Sequence, residues 1–109
     1  MRIVLGVVIG VGLCSLSVQA VDKKAERTWK AKCASCHGAD GRGDTDQGKK
    51  MKLKDMTSAD WHKSITDAKI RDAILNGAKT GEGEMQAYKD SLSSDQVDAL
   101  VNYIHTLKK

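Results

Sequence analysis

Beyond its first twenty residues this chain has very little from which to build a core. Residues 21–109 hold twelve large aliphatic side chains (Val21, Leu53, Ile65, Ile70, Ile74, Leu75, Leu92, Val97, Leu100, Val101, Ile104 and Leu107), and there is no phenylalanine anywhere. That is about 13% of the segment, a share at which apolar burial rarely offsets conformational entropy. The charge does not fit disorder, because the same residues carry 17 basic and 14 acidic side chains, a net of only +3. A segment of this length makes one domain. Either the domain is marginal, or something other than an amino acid completes its core.

Residues 1–20 read as a cleavable secretory signal. Arg2 supplies a positive start, Ile3 to Val18 is almost wholly apolar, and Val18-Gln19-Ala20 ends in the small residue that a signal peptidase reads. The apolar run is shorter than the roughly 20 residues of a spanning helix, so a retained membrane anchor is the lesser alternative. Lipid attachment at Cys14 is disfavoured by the bulky Leu13 before it. Cleavage after Ala20 discards Cys14, leaves two of the three cysteines, and expects an exported domain over residues 21–109, located in the periplasm.

The two remaining cysteines stand in Cys33-Ala34-Ser35-Cys36-His37. A disulfide oxidoreductase would carry such a pair at a helix start after a strand, whereas Ala25 to Lys32 reads as helix and no β-branched run precedes it. Zinc would need a fourth ligand, which His62 or His105 would have to bring from far away without paired spacing. Covalent haem attachment needs no other protein group: two thiols three residues apart can add to the two vinyl groups of one porphyrin and carry His37 beneath the iron as fifth ligand. One haem c also answers the shortage of core. Burying most of a porphyrin's apolar surface contributes on the order of 10 kcal/mol at ~25 cal/mol per Å². The haem-free chain is then expected to be largely unfolded.

The remaining segments arrange themselves around that group. Asp22 to Lys32 is rich in helix formers, with Trp29 four residues before Cys33 and so on the same face. Gly38 to Lys54 is glycine-punctuated and reads as a loop; Ser58 to Ser64 reads as a short helical turn. Thr66-Asp67 opens a helix with the stripe Ile70, Ala73, Ile74 and a stop at Gly77. Gly81 to Tyr88 is a second loop, and Ser93 with Gln96 makes a capping box ahead of Val97, Leu100, Val101, Ile104 and Leu107. Nothing alternates with period two, so the expected class is all-α, with about three to five helices wrapped around one covalently attached haem.

These residues resemble the small single-haem class I cytochromes c of bacteria, over essentially all of residues 25–109. The resemblance is carried by Cys33-Ala-Ser-Cys-His-Gly-Ala-Asp-Gly-Arg-Gly43, by Ile70-Arg-Asp-Ala-Ile-Leu-Asn-Gly77, and by Val101-Asn-Tyr-Ile104. It implies the cytochrome c fold, with Trp29 crossing Tyr103, and a soluble single-electron carrier that is not an enzyme and whose iron lies between a histidine and a methionine. Among Met51, Met56 and Met85, the position of Met85 before the last helix matches the family's sixth ligand. Met56 is the second choice. Met51, in Gly48-Lys49-Lys50-Met51, stands at the family's leucine position and has a packing role. Trp61 is the candidate partner of a haem propionate, with plain core packing as the alternative. His105 is read as solvated and His62 as a minor alternative ligand. The chain departs from the family in lacking proline: Lys49 and Gln86 stand where relatives have one beside the proximal histidine's acceptor and one after the ligand methionine. A looser Met85 loop is therefore expected.

Charge bears on partners. Residues 21–54 carry ten basic and five acidic side chains, and residues 55–109 seven and nine. The basic half, with Lys49, Lys50, Lys52 and Lys54, is suited to steering a redox protein with an acidic docking face. Nucleic acid is a poor partner, since no recognition motif accompanies the lysines. The expected species is a monomer with no stable membrane insertion after signal cleavage. Two rival functions stand beside the carrier: a haem protein with a labile sixth ligand, gas-binding or peroxidase-like, and a fixed electron-transfer subunit of a larger oxidoreductase.

Overall fold

A computed structural model describes residues 22–109 and, before them, only Gly6, Gly10 and Gly12. The signal segment and Cys14 lie outside the described residues. In chain order the elements are α1 (Lys23–Lys32), α2 (Ala34–His37), α3 (Asp46–Lys50), α4 (Ala59–Ser64), α5 (Asp67–Asn76), the strands β1 (Ala78–Thr80) and β2 (Gly83–Met85), and α6 (Ser94–Thr106).

Each longer helix starts where a side-chain oxygen takes up orphan N–H groups. Asp22 caps α1, Ser58 α4 and Thr66 α5, and Ser93 with Gln96 forms the reciprocal capping box of α6. At the far end of α5, Gly77 takes φ +78°, a region open chiefly to glycine, and its N–H closes on the Ala73 carbonyl.

The core lies where α6 packs across α1 and α5. Val97 and Leu100 from α6 and Trp29 from α1 are each only 1% exposed, and Ile70, Ile74, Leu92, Val101 and Ile104 surround them. Trp29 and Tyr103 meet with ring centroids 5.7 Å apart and planes tilted by 46°, the crossing that the resemblance implied. Tyr88 joins the distant parts of the chain: its hydroxyl donates to the Lys32 carbonyl (3.0 Å) and its N–H to the Ile74 carbonyl (2.9 Å).

The helical layers are those expected, with two additions. The first glycine-rich loop contains the single turn α3. Thr45 accepts from Gly48 N–H at its start, and at its end Lys52 and Leu53 donate to the Lys49 and Gly48 carbonyls (3.2 and 2.9 Å), a Schellman motif. Lys52 there sits at φ +54°, where glycine is usual. Together with the one-turn α2, this raises the helix number to six among the described residues, against the three to five expected.

The second addition is an antiparallel hairpin inside and just before the Gly81–Tyr88 loop, pairing Ala78 with Met85, Lys79 with Glu84 and Thr80 with Gly83. Three-residue strands are too short to display an alternating pattern, which is why periodicity did not disclose them.

Candidate haem site

The segment Cys33 to His37 is a hinge between two helices. Cys33 ends α1 and begins α2, its N–H bonded to the Trp29 carbonyl and its carbonyl accepting from Cys36 and His37. Trp29 fixes the next step by donating its indole N–H to the Gly38 carbonyl (3.0 Å), while its ring lies 5.7 Å from that of His37. The following loop folds beneath α2: Gly43 N–H donates to the His37 carbonyl (2.7 Å) and the Thr45 hydroxyl to the Cys36 carbonyl (2.6 Å). Gly48 packs so closely that a Cβ there would collide with the Gly43 and Cys36 carbonyls. This is a close-approach glycine.

These elements enclose a cavity of about 420 Å³. Cys33, Cys36, His37, Trp61 and Met85 all line it, together with apolar side chains that include Leu53, Ile65 and Ile74. Five residues singled out in the sequence, separated by up to 52 positions, thus share one wall system. Met51 and Met56 line it too. The Met51 thioether packs against Gly83, another lining residue, where a Cβ would lie 2.5 Å from its sulfur. His62 and His105 are not among the lining residues. His62 has its Nε2 at 2.7 Å from the Met56 carbonyl, and exposed His105 pairs with Asp67 (2.7 Å).

The chemistry of the donors fits a covalently held haem. The two cysteines are not joined to each other. Burial pushes the Cys33 thiol up to about 11, the reverse of the depressed thiol on which disulfide exchange depends. Burial likewise holds His37 below its ordinary value, so its imidazole is neutral at pH 7 and keeps a lone pair for a metal. Its Nδ1 is buried with no hydrogen-bond partner. No group of three or more His, Cys, Asp or Glu side chains converges among the described residues, so the fourth donor of a zinc site is not assembled there. An apolar chamber with two thiols and a neutral imidazole on its wall suits a flat, largely apolar cofactor held by thioethers and one nitrogen.

Sequence reasoning missed Tyr88, which lines the chamber while tethering Lys32, and it missed the contact between Met51 and the hairpin. The tyrosine had no motif around it. The glycine at position 83, in Gly81-Glu82-Gly83, was the only signal for the contact.

Comparison with known proteins agrees with this geometry. The profile of the family described as cytochrome C oxidase, cbb3-type, subunit III matches residues 20–104. The chain is 35% identical over 85 residues to the cbb3-type cytochrome c oxidase subunit FixP of Azorhizobium caulinodans, which covers 78% of this chain and 27% of that protein. It is 32% identical over 91 residues to the subunit CcoP of Helicobacter pylori (strain 52), covering 83% and 29% respectively. The chain thus spans less than a third of the length of these oxidase subunits. A cytochrome c6 from Leptolyngbya boryana is 31% identical over 78 residues, 72% of this chain and 82% of that one. Among solved structures, the KustC0563 c-type cytochrome superposes with a TM-score of 0.69 at 29% identity, over 78% of this chain and 98% of that chain. A family match over nearly the whole described domain, and likeness to a small cytochrome along most of that protein's own length, establish that this chain belongs to the cytochrome c family, whose electron-carrying domains hold haem c covalently.

Proposed function

We propose that the domain is a periplasmic single-electron carrier in which Cys33 and Cys36 anchor one haem c through thioethers, with His37 as proximal and Met85 as distal iron ligand. The observation that carries this reading is the shared cavity, which gathers both thiols, the neutral, half-buried imidazole and Met85. Bound there, the haem supplies a reversible one-electron couple.

The protein's own residues do the rest. Trp29 and Tyr103 clamp α1 to α6 and set the pitch of α2, so that the backbone carrying Cys33, Cys36 and His37 is held from both sides. The apolar lining surrounds these half-buried side chains. Trp61 lines the chamber beside His62, its ring edge-on at 4.9 Å, and is suited to donate its indole N–H to a propionate. Lys32 and Lys54, both in the basic half of the chain, also line the cavity. They would guide an acidic face of a redox partner toward it. Among the described residues no helix is long and apolar enough to cross a membrane.

The test is the optical spectrum of the purified holoprotein in both redox states. A covalent haem with the weak ferric band near ~700 nm that reports iron–methionine bonding, present in wild type and lost in Met85→Ala, is the expected result. Haem without that band, in a protein that takes up carbon monoxide readily, would favour the gas-binding or peroxidase-like alternative. A second reading, a fixed subunit of a larger oxidoreductase, is favoured by the match to one segment of FixP and CcoP. Sizing chromatography separates the two: a monodisperse monomer fits the carrier and comigration with an oxidase fits the subunit.

A further inference from the structure

The residue after Met85 is Gln86, so the chain lacks the rigid imide that would stiffen the backbone beyond a ligand loop. The structure holds this segment in another way. Met85 ends β2 and pairs with Ala78, and its carbonyl lies against Gly77, where a Cβ would come within 2.5 Å of it. Two residues earlier on the same strand, and so on the same face, stands Gly83. The space a side chain would fill there is already taken: a Cβ on Gly83 would lie 2.5 Å from the Met51 sulfur and 2.6 Å from its Cγ. Met51 is buried and, like Met85, lines the cavity.

Met51 is itself firmly placed. It caps α3, and the Schellman motif that follows holds Lys52 in the left-handed region at φ +54°. A non-glycine residue takes that conformation when its surroundings over-determine it. On the outer side Lys52 reaches Glu82 (3.3 Å), which ties the same two segments a second time. The exposed ion pair contributes little energy. The buried thioether in the glycine hole is the tighter link.

We propose that Met51 is the positioning residue for Met85: its side chain, seated in the space left by Gly83, fixes how closely the hairpin lies over the cavity and so how firmly the Met85 sulfur is presented there. The inference rests on the reading of Met85 as the distal ligand. It assigns Met51 a task distinct from ligation and from general core filling, and it replaces a looser Met85 loop with a hairpin locked from below.

The experiment uses haem-loaded protein and two readouts, the ferric band near ~700 nm and the rate at which the ferrous protein binds carbon monoxide. Wild type and Met85→Ala are compared first; if the band survives Met85→Ala, the ligand reading fails and takes this proposal with it. Given its loss there, Met51→Ala is expected to bind carbon monoxide about tenfold faster than wild type, and Met51→Leu to restore the wild-type rate. Gly83→Ala, which drives a methyl into the sulfur, is expected to bind faster as well, and the double variant Met51→Ala/Gly83→Ala to return toward wild type, because the new methyl occupies the vacated space. A core variant away from the hairpin, Leu92→Ala, should lower stability and leave the rate unchanged. A wild-type rate in Met51→Ala, or an equal acceleration in Leu92→Ala, overturns the proposal. Should Met51→Ala fail to accumulate, Gly83→Ala decides alone: faster binding supports the proposal, and a wild-type rate overturns it.

Discussion

Replacing Trp29 by phenylalanine tests whether one side chain clamps the attachment segment to the rest of the fold. The indole is 1% exposed, touches both His37 and Tyr103, and donates its N–H to the Gly38 carbonyl at 3.0 Å. Phenylalanine keeps an aromatic ring against Tyr103 but removes the donor, and an acceptor left buried without its partner costs about 1–3 kcal/mol. The smaller ring also leaves a gap, which adds roughly 1 kcal/mol by comparison with complete truncation of a tryptophan. The expected loss is thus about 2–4 kcal/mol, a large share of the ~5–15 kcal/mol that holds a small domain together. The assay is urea unfolding of the ferric holoprotein followed by haem absorbance; covalent attachment keeps the transition unimolecular. With a slope of about 1–3 kcal/mol per M, the midpoint should fall by about 0.7–4 M at unchanged slope. A loss under ~0.5 kcal/mol would refute the argument, since it would mean that neither the indole bond nor the packing at this crossing bears on stability.

Other outcomes follow from single features. Gly48→Ala places a methyl against the Gly43 and Cys36 carbonyls, so it should cost about 1–3 kcal/mol and reduce haem incorporated per polypeptide, which a haem-to-protein ratio measures. Lys52→Gly relieves the left-handed conformation at φ +54° and should stabilise by up to about 1 kcal/mol in the same urea assay; destabilisation would show that the site is not strained. Finally, Cys33→Ala/Cys36→Ala protein lacking haem should show no cooperative thermal transition by circular dichroism.

What was legible in the sequence was what local chemistry specifies. Thr66 and Ser93 announced their helices because an N-cap acts through neighbours within three residues. Cys33, Cys36 and His37 stood out because Cys-x-x-Cys-His is the spacing at which c-type haem attachment is read. Met85 required the family's pattern, and it lines the same cavity as the other three. The hairpin and α3 were illegible for a different reason: each is a few residues long and is held by tertiary contacts rather than by its own pattern. The pairing of Met51 with Gly83 joins residues 32 apart, and nothing local to either position encodes it.

The packing of α6 across α1 also sets the order in which the protein can be made. Trp29 and Ala25, near the beginning of the domain, share one buried cluster with Val97, Leu100, Val101, Tyr103 and Ile104, near its end. A core that joins the first helix to the last cannot close while the chain is still emerging, because loop closure has to await the final segment. Throughout synthesis Cys33 and Cys36 belong to a chain without a completed core. If haem completes the core, attachment at Cys33 and Cys36 precedes the docking of the last thirteen-residue helix.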